Sequence, residues 1–263
     1  LMGTLQQDPG AYHFTQFSTL PAIVFRGVAL GLLASYRYAG ISDGTNLDVD
    51  TTTDVGPVLG VAKNFAGNLF RLGASVKAIA RNQLKGVFSH SLLATLDDST
   101  FPTLYKEGLG ISADLGGQLV FPNRFLPTLA FMWKDIGDMN FQTSSLLNAQ
   151  ASGTPDRINS SVNAGLSIHP YLSGRLKTTF AVEMRHIELG HLPLRKRLHA
   201  GMQFEDERSL YFWIGMNQFY PTGGVGYRVK GGNLEIGTYA QDVGEGEAAA
   251  ADRRIFFRYT IGF

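Results

Sequence analysis

Cysteine is absent from this chain of 263 residues, which excludes disulfide bonds and thiolate metal sites. No run of eighteen or more apolar residues occurs, because Arg26 and Gly27 interrupt the longest candidate, Leu20 to Tyr36. A membrane-spanning helix is therefore not expected. Neither sign of charge is in excess, since 23 Lys and Arg stand against 22 Asp and Glu. The concentrated basic surface that a nucleic acid requires is not indicated.

Glycine and aromatic residues are abundant instead, with 31 Gly, 18 Phe and 10 Tyr. The main signal in the sequence is a strict alternation of apolar and polar residues. The segment from Val28 to Ala39 carries apolar side chains at every second position, and Phe70 to Arg81 and Arg175 to Arg185 repeat the pattern. Successive side chains of a strand point to opposite faces, so each segment has one apolar and one polar face.

A soluble β-sandwich also alternates, but three features favour a membrane barrel. The alternating runs have roughly ten to fifteen residues, whereas about 5–6 are usual in globular strands and about 9–11 cross a bilayer. Aromatic residues gather near the predicted strand ends, as interfacial girdles require. The connections alternate between short turns and the longer stretches 41–54, 84–107, 142–156, 189–195 and 244–252.

We therefore expect an all-β fold, a transmembrane antiparallel up-and-down β-barrel of about 12–14 strands spanning residues 28–263. Residues 1–27 form a separate N-terminal segment, which either plugs the lumen or adds one or two strands. The long connection 84–107 contains a short amphipathic helical pattern with Phe88, Leu92 and Leu96 on one face. Twelve long strands are predicted, over about 28–40, 52–64, 68–82, 108–121, 125–140, 157–170, 175–188, 196–206, 209–219, 223–230, 233–243 and 253–263.

The polar faces of these strands are assigned to the lumen, and basic residues outnumber acidic ones there. One interpretation is a packed or plugged lumen held by ion pairs, because burying an unpaired charge is costly. The other is an open pore that attracts anions. The candidate lumen-lining residues, for binding or selectivity, are Arg37, Arg71, Lys77, Arg81, Asp114, Lys134, Lys177, Glu183, Arg185, Arg197, Arg228, Glu235 and Arg258.

The last residues, RIFFRYTIGF, place five apolar side chains on one strand face. This segment resembles the final-strand signature of bacterial outer-membrane proteins, which the barrel-assembly machinery recognises. The resemblance implies a bacterial outer-membrane location and two kinds of partner, the outer-membrane lipids and that machinery. The candidate assembly-signal residues are Ile255, Phe257, Tyr259, Ile261 and Phe263.

Several segments from Gly108 onward, GLGISADLGG, KDIGD, RLHAGMQF and GGVGYRVKGGNLEIGTYAQDVG, resemble the FadL-like (fatty-acid-transporter) superfamily in its broad sense. That group includes PorV-type barrels of secretion systems and TraF-type barrels of conjugal transfer. The resemblance implies a barrel that passes a hydrophobic molecule or serves a secretion or surface protein complex. Residues 1–27 lack the Asn-Pro-Ala-type hatch motif of the fatty-acid transporters, which argues against fatty-acid uptake.

Enzymatic and metal sites are not expected. An outer-membrane phospholipase would carry His-x-Ser on a strand, and the nearest pair is His90-Ser91 in a predicted loop. His186, Glu188 and His191 do not share one strand face, so a preformed metal site is not indicated. The acidic stretch with Asp48, Asp50 and Asp54 falls in the predicted loop 41–54 and lacks the pattern of a dedicated calcium loop. Cofactors are likewise not indicated.

The sequence thus predicts an integral outer-membrane barrel of transport type, which binds or passes a small hydrophobic or anionic solute. A non-conducting structural barrel that docks a secretion or surface complex is the alternative. An outer-membrane phospholipase is a remote third possibility.

Overall fold

The computed structural model describes residues 10, 12–95, 97, 100–173, 176–206, 209–242 and 251–261. Strands dominate this part of the chain, and its helices are short: Ala66–Asn68, His90–Thr95, Phe101–Leu104 and Leu194–Arg197. None of its helices is both long and apolar enough to span a membrane. The strands are β1 (Tyr12–Thr19), β2 (Ala22–Phe25), β3 (Val28–Ser42), β4 (Asn46–Phe65), β5 (Phe70–Ser89), β6 (Lys106–Val120), β7 (Thr128–Lys134), β8 (Phe141–Thr143), β9 (Ser161–Ile168), β10 (Tyr171–Ser173), β11 (Leu176–Met184), β12 (Leu198–Asp206), β13 (Leu210–Asn217), β14 (Tyr220–Val229), β15 (Gly232–Asp242) and β16 (Ala251–Ile261).

The described strands form an all-β, antiparallel, up-and-down and nearly closed barrel, which confirms the predicted fold class. Thirteen of them follow one another in the hydrogen-bonded order β1-β3-β4-β5-β6-β7-β9-β11-β12-β13-β14-β15-β16. The three remaining strands are short, and β2, β8 and β10 pair with β3, β6 and β11. All twelve predicted long strands have a counterpart in this order.

The N-terminal segment provides an additional strand within its described residues. Tyr12 to Thr19 pair with Ile41 to Ala34, and Ala22 to Phe25 pair with Gly31 to Val28. Together β1 and β2 therefore cover almost the whole length of β3. The sequence left two alternatives for this segment, a plug in the lumen or additional strands. Residues 12–19 and 22–25 form strands, and residues 1–9 lie outside the described residues.

The predicted long loop 41–54 is wrong, because β3 and β4 form a tight hairpin around residues 43–45. The Asp43 carboxylate accepts hydrogen bonds from the backbone N–H groups of Thr45 and Asn46, at 2.8 and 2.6 Å. Gly44 has a φ of +89°, a conformation that glycine adopts without a steric penalty. This local turn chemistry lets the strand pair from Ser42 and Leu47 onward, so the aspartates after it lie on β4.

Other connections differ from the prediction in their bounds. β5 continues to Ser89, so Phe88 lies on the strand and not on the predicted helical face. A short helix follows as His90–Thr95, and Leu96 lies outside the described residues. β14 begins at Tyr220, three residues before the predicted strand start at 223, because Gln218 and Phe219 make a two-residue turn with φ values of +53° and +66°. Two consecutive positive φ values are typical of the type I′ hairpin turn, whose twist matches that of the flanking strands.

The chain divides into two compact units, and the first comprises Leu1–Ala62, Gly73–Asp114 and Asp135–Ser160. Its buried apolar residues form two small clusters. Leu47, Val49 and Leu84 pack with Tyr38, Phe88, Leu104 and Tyr105, whereas Ile79, Met139 and Phe141 pack with Leu33 and Ile158.

The second unit comprises Lys63–Leu72, Leu115–Lys134 and Ser161–Phe263. It holds the meander from β11 to β16, in which each strand pairs with the next in antiparallel register. The register places Gln203 opposite Trp213, Glu205 opposite Tyr211 and Glu235 opposite Arg258. These residues share one face of the meander, because side chains directly opposite each other in a pair lie on the same side of the sheet.

Large apolar side chains are exposed on the other strand face. This alternation reverses the arrangement of a water-soluble protein, in which contiguous apolar surface is buried and exposed patches stay within a few hundred Å². The exposed apolar side chains include Val28, Leu30, Leu32, Leu59, Val61, Leu72, Val76, Leu129, Phe131, Leu210, Phe212, Ile214, Val225, Tyr227, Leu234, Ile236, Ile255, Phe257 and Tyr259. We call this the apolar face and the opposite one the polar face.

Candidate functional site

The polar face of the first unit is centred on Lys77, which lies between two carboxylates. Its Nζ is 3.0 Å from Asp114 Oδ1 and 2.9 Å from Asp135 Oδ1. Asp114 also accepts hydrogen bonds from the Ser75 hydroxyl at 3.0 Å and from the Asp135 backbone N–H at 2.9 Å. All three charged side chains are largely buried. The predicted residues Lys77 and Asp114 are therefore brought together, and Asp135 is a partner that the sequence analysis missed.

Arg81 and Asp54 form a second ion pair on this face. The guanidinium donates from Nε to Oδ1 and from Nη2 to Oδ2, both at 2.7 Å. Its carbon atom Cζ lies 5.0 Å from the centre of the Phe141 ring, within the range of a cation–π contact. Bidentate pairing of this kind fixes both side chains in one orientation.

Arg37 pairs with Asp50 in the same unit, with Nη2 2.9 Å from Oδ2. Lys85 pairs with Asp156 at 2.6 Å, near the end of β5. This hydrogen bond from Lys85 lowers the pKa of the Asp156 carboxyl group below its usual value. The predicted basic residues of β3 and β5 in this unit thus carry carboxylate partners, which is the arrangement expected of a lining held by ion pairs.

The second unit repeats the pairing at its C-terminal strands. Arg228 pairs with Glu205 at 2.5 Å, and Arg258 pairs with Glu235 at 3.2 Å. Glu235 is held further by hydrogen bonds from the Tyr211 hydroxyl at 2.8 Å and from the Asn233 amide at 3.1 Å. The carboxylate is therefore fixed against the sheet on three sides.

Aromatic rings lie beside these pairs and were not identified from the sequence as a site. Tyr211 and Trp213 on β13 have ring centres 5.9 Å apart, Trp213 and Phe256 are 6.1 Å apart, and Phe256 and Tyr239 are 6.1 Å apart. Arginine Cζ atoms approach three of the rings: Arg228 lies 5.7 Å from Tyr211, Arg254 lies 5.9 Å from Tyr239 and Arg258 lies 5.9 Å from Phe256. We name these four rings and three arginines the aromatic–arginine cluster.

The remaining predicted lining residues do not join these groups. Arg71, at the start of β5, is exposed and has no ion-pair partner in the described part of the chain, and Lys177 on β11 is also exposed. Glu183 and Arg185 pair with each other at 2.9 Å. Lys134 is the last residue of β7.

The predicted strand start at residue 196 is wrong, because Arg197 ends the helix Leu194–Arg197, and the lumen-lining role of Arg197 stays a prediction. Pro193 precedes the helix, and the Lys196 backbone N–H bonds to the Pro193 carbonyl at 2.9 Å. Pro193 is the N-cap residue, and its missing N–H costs no hydrogen bond there, because the first N–H groups of a helix have no partner within it. β12 consequently begins at Leu198 instead of 196.

The candidate assembly signal lies on β16. Ile255, Phe257 and Tyr259 alternate along this strand and are each more than half exposed. Arg254, Phe256 and Arg258 point to the polar face, as their contacts with Asp252, Trp213 and Glu235 indicate. Ile261 is the last residue of the strand, and its side chain and Phe263 lie outside the described residues.

The residues considered for metal binding do not form a cluster. Within the described ranges, no group of three or more His, Asp or Glu side chains is arranged to hold an ion. Asp48, Asp50 and Asp54 lie on β4, and two of them are occupied by Arg37 and Arg81. Partial burial raises the pKa of Glu188, but hydrogen bonds from the Val162 N–H at 2.8 Å and from His186 outweigh it, and the net shift is downward.

Ser167 and His169 form a serine–histidine pair that the sequence analysis did not identify. The phospholipase motif has the order His-x-Ser, whereas this chain has Ser-x-His. Ser167 Oγ lies 3.1 Å from His169 Nε2, and His169 Nδ1 lies 3.1 Å from Thr179 Oγ1. A nucleophile, a base and an orienting group need such distances. The other candidate pair, His90-Ser91, lies at the start of a helix and not on a strand.

A fully buried carboxylate, Glu107, organises the long connection after β7. It accepts hydrogen bonds from the backbone N–H groups of Leu147 and Asn148 and from the Ser144 hydroxyl. The backbone N–H of Glu107 itself bonds to the Gly153 carbonyl at 3.2 Å. Residues 144–153 are thus attached to the beginning of β6 instead of extending freely.

Comparison with known proteins adds no family to this description. No family model matches the sequence, and no curated protein matches it either. The function of this chain must therefore be inferred from its own residues and contacts.

Proposed function

We propose that this chain is an integral outer-membrane β-barrel of transport type, which binds or passes a small hydrophobic or anionic solute. The observation that carries the proposal is the exposed apolar face, which runs along strands of both units. In water this surface would be far larger than the apolar patches that soluble monomers tolerate, so hydrocarbon is its natural environment. The opposite face bears paired charges and hydrogen-bonding groups, as expected of residues around a polar lumen.

The connections support the same proposal. Longer connections lie at 90–105, 135–160 and 185–197, and short turns such as 26–27 and 230–231 lie between other strands. The turns at 43–45 and 218–219 are exceptions, because regular alternation would place a longer connection at each. Outer-membrane barrels combine short periplasmic turns with long outer loops. The resemblance of the residues from Gly108 onward to the FadL-like superfamily is consistent with that location, and so is the exposed apolar face of β16. Outer-membrane lipids and the barrel-assembly machinery are the proposed partners.

The experiment is single-channel recording of the purified full chain in planar lipid bilayers. We expect the protein to require detergent for solubility and to give steady conductance steps. Extraction from the bacterial membrane fraction without detergent would contradict the membrane assignment. A silent but correctly inserted barrel would contradict passage of ions through it.

A non-conducting structural barrel is the second candidate, and the ion pairs favour it. Lys77 lies between Asp114 and Asp135, and Arg81 is bound to Asp54 through two hydrogen bonds. These basic groups therefore do not present unpaired charge. A lumen lining held together by such ion pairs leaves less room for a solute. Its basic groups are neutralised by carboxylates, so the electrostatic potential that would attract anions is weaker. Electrical silence together with copurification of a secretion or surface complex would support this candidate over transport.

A phospholipase remains the remote candidate, and Ser167 is now the residue to test. Hydrolysis of phospholipid vesicles by the purified barrel, abolished by Ser167→Ala but not by Ser91→Ala, would establish it. Equal residual hydrolysis in both variants would show a contaminating enzyme.

A further inference from the structure

The aromatic–arginine cluster lies entirely on the polar face of the C-terminal strands, and glycines on those strands make room for its rings. Tyr211 is opposite Gly226 and Trp213 is opposite Gly224. A Cβ atom at either glycine would clash with the facing ring. The Tyr211 and Trp213 rings therefore lie against the backbone of β14.

The rings of this cluster are not sealed inside a core. Trp213, Tyr239 and Phe256 are half-buried, so part of each ring remains accessible, whereas Tyr211 is buried. Ring centres separated by about 6 Å form a row long enough for a small planar molecule to contact two rings. Aromatic contacts of this type stabilise a complex beyond the effect of the area that they bury.

The ion pairs of the cluster are asymmetric in exposure. The Arg228 side chain is 54% exposed and its partner Glu205 is 21% exposed. The Arg258 side chain is 65% exposed and its partner Glu235 is 16% exposed. A solute that approaches the sheet thus meets guanidinium groups, while the carboxylates lie behind them.

The carboxylate of Glu235 retains other donors if Arg258 turns toward a solute. The Asn233 amide donates to it at 3.1 Å, and the Tyr211 hydroxyl shares its one proton between Glu235 and the Asn233 amide oxygen, so loss of the arginine contact does not leave a bare buried charge. Exchange of one carboxylate for another at an exposed guanidinium is also favourable geometrically, because arginine has five N–H donors. The pair can therefore open toward an anion at a small cost.

We propose that the aromatic–arginine cluster binds a small organic anion with a planar apolar body, such as an aromatic carboxylate. The ring row receives the apolar body, and Arg228 and Arg258 receive the carboxylate. This inference rests on the proposed transport function and narrows its solute to an anion that is also hydrophobic. Neutral and cationic molecules with the same ring lack the partner for the guanidinium groups.

The test uses Trp213 as the reporter. The chain has two tryptophans, and Trp133 lies exposed on the apolar face, so Trp133→Phe leaves a single fluorophore in the cluster. Phenylacetate, 2-phenylethanol and phenethylammonium share one ring and differ in charge. We expect phenylacetate to change Trp213 fluorescence saturably in the purified full chain, with the other two at least about tenfold weaker, which is about 1.4 kcal/mol.

Arg228→Gln and Arg258→Gln keep a polar side chain and remove the charge, and each should weaken phenylacetate binding by about tenfold or more, because a hydrogen bond to a charged group is stronger than one between neutral groups. Arg124→Gln is the matched control, because Arg124 lies 4.7 Å from the Phe125 ring outside the cluster. Saturation-transfer NMR of phenylacetate on the unaltered chain provides the same comparison if Trp133→Phe does not fold.

Equal responses to phenylacetate and phenethylammonium, or no loss in either cluster variant, would overturn the inference. Bilayer conductance of the same preparation separates it from the proposed function. Conductance without phenylacetate binding refutes the solute site alone, and binding without conductance refutes passage while the site stands.

Discussion

Arg81 and Asp54 face each other on neighbouring strands through two parallel hydrogen bonds of equal length, 2.7 Å. Both side chains are largely buried. Each therefore depends on the other, because removing one partner leaves an uncompensated charge in a poorly solvated position. The pair connects β4 to β5 in the first unit and fixes the polar face there.

Asp54→Asn should destabilise the barrel by about 3 kcal/mol, since Arg81 then loses its counter-charge. The double variant Arg81→Met with Asp54→Leu should recover most of that loss, because it removes both charges together. Urea unfolding of the protein in lipid vesicles measures the free energy of unfolding. The exposed pair of Lys85 and Asp156 is the control, and Lys85→Met should cost about 1 kcal/mol or less. A cost for Asp54→Asn as small as the control would contradict the structural role of the pair.

Ile214→Arg tests the membrane assignment. Ile214 lies in the middle of β13 on the apolar face, where a charge would enter hydrocarbon. The expected loss is about 2–4 kcal/mol at mid-membrane depth. Gln203→Arg, on the polar face of the neighbouring strand, is the matched control and should cost much less. Similar costs for the two variants in vesicle unfolding would argue that neither face contacts lipid.

The two faces were predictable from the sequence because strand alternation depends only on the period of two. Val28, Leu30 and Leu32 are exposed as one set, as their alternation with Ala29 and Gly31 predicted. The hairpin at residues 43–45 was not predicted, because the acidic stretch after it has the composition of a loop. Cross-strand pairing with β3 overrides that local composition.

The candidate site was predictable only in part. Lys77 and Asp114 follow from face assignment, but Asp135 lies just beyond β7 and reaches Lys77 only through the register of the strands. The sequence contained a signal for the aromatic–arginine cluster. Tyr211 and Trp213 lie on the same strand face as polar residues such as Glu205. The sequence analysis assigned the aromatic residues near strand ends to interfacial girdles, and it gave Tyr211 and Trp213 no role.

Arg71→Glu should shift ion selectivity toward cations if the barrel conducts. Arg71 is exposed and bears no ion-pair partner among the described residues, so its charge acts on passing ions without compensation. Lys77→Gln is the comparison, because Lys77 is enclosed by Asp114 and Asp135 and its loss should mainly reduce stability. Reversal potentials in asymmetric salt measure the shift. An unchanged reversal potential for Arg71→Glu would count against an open lumen at this position.

Glu107→Leu should release the connection that follows β7. The backbone N–H groups of Leu147 and Asn148 lose their acceptor, and each unsatisfied group costs about 1–3 kcal/mol if it stays buried. The segment 144–153 should then open and become sensitive to protease. Glu107→Gln keeps one acceptor oxygen and should give intermediate cleavage. Identical digestion of all three proteins would show that other contacts hold the segment.

Acid should loosen the contact between Asp156 and Lys85. The hydrogen bond from Lys85 lowers the pKa of Asp156 in the folded protein, so its contribution is fully present above the unfolded value of about 3.9. That contribution is lost as the pH falls through the lower folded value, where the carboxylate takes up a proton. Amide exchange of residues 153–158 should therefore accelerate in the folded barrel below about pH 4 relative to neutral conditions, after correction for intrinsic exchange. Lys85→Met removes the partner and should abolish this pH dependence, while a dependence that survives the substitution would assign it to another group.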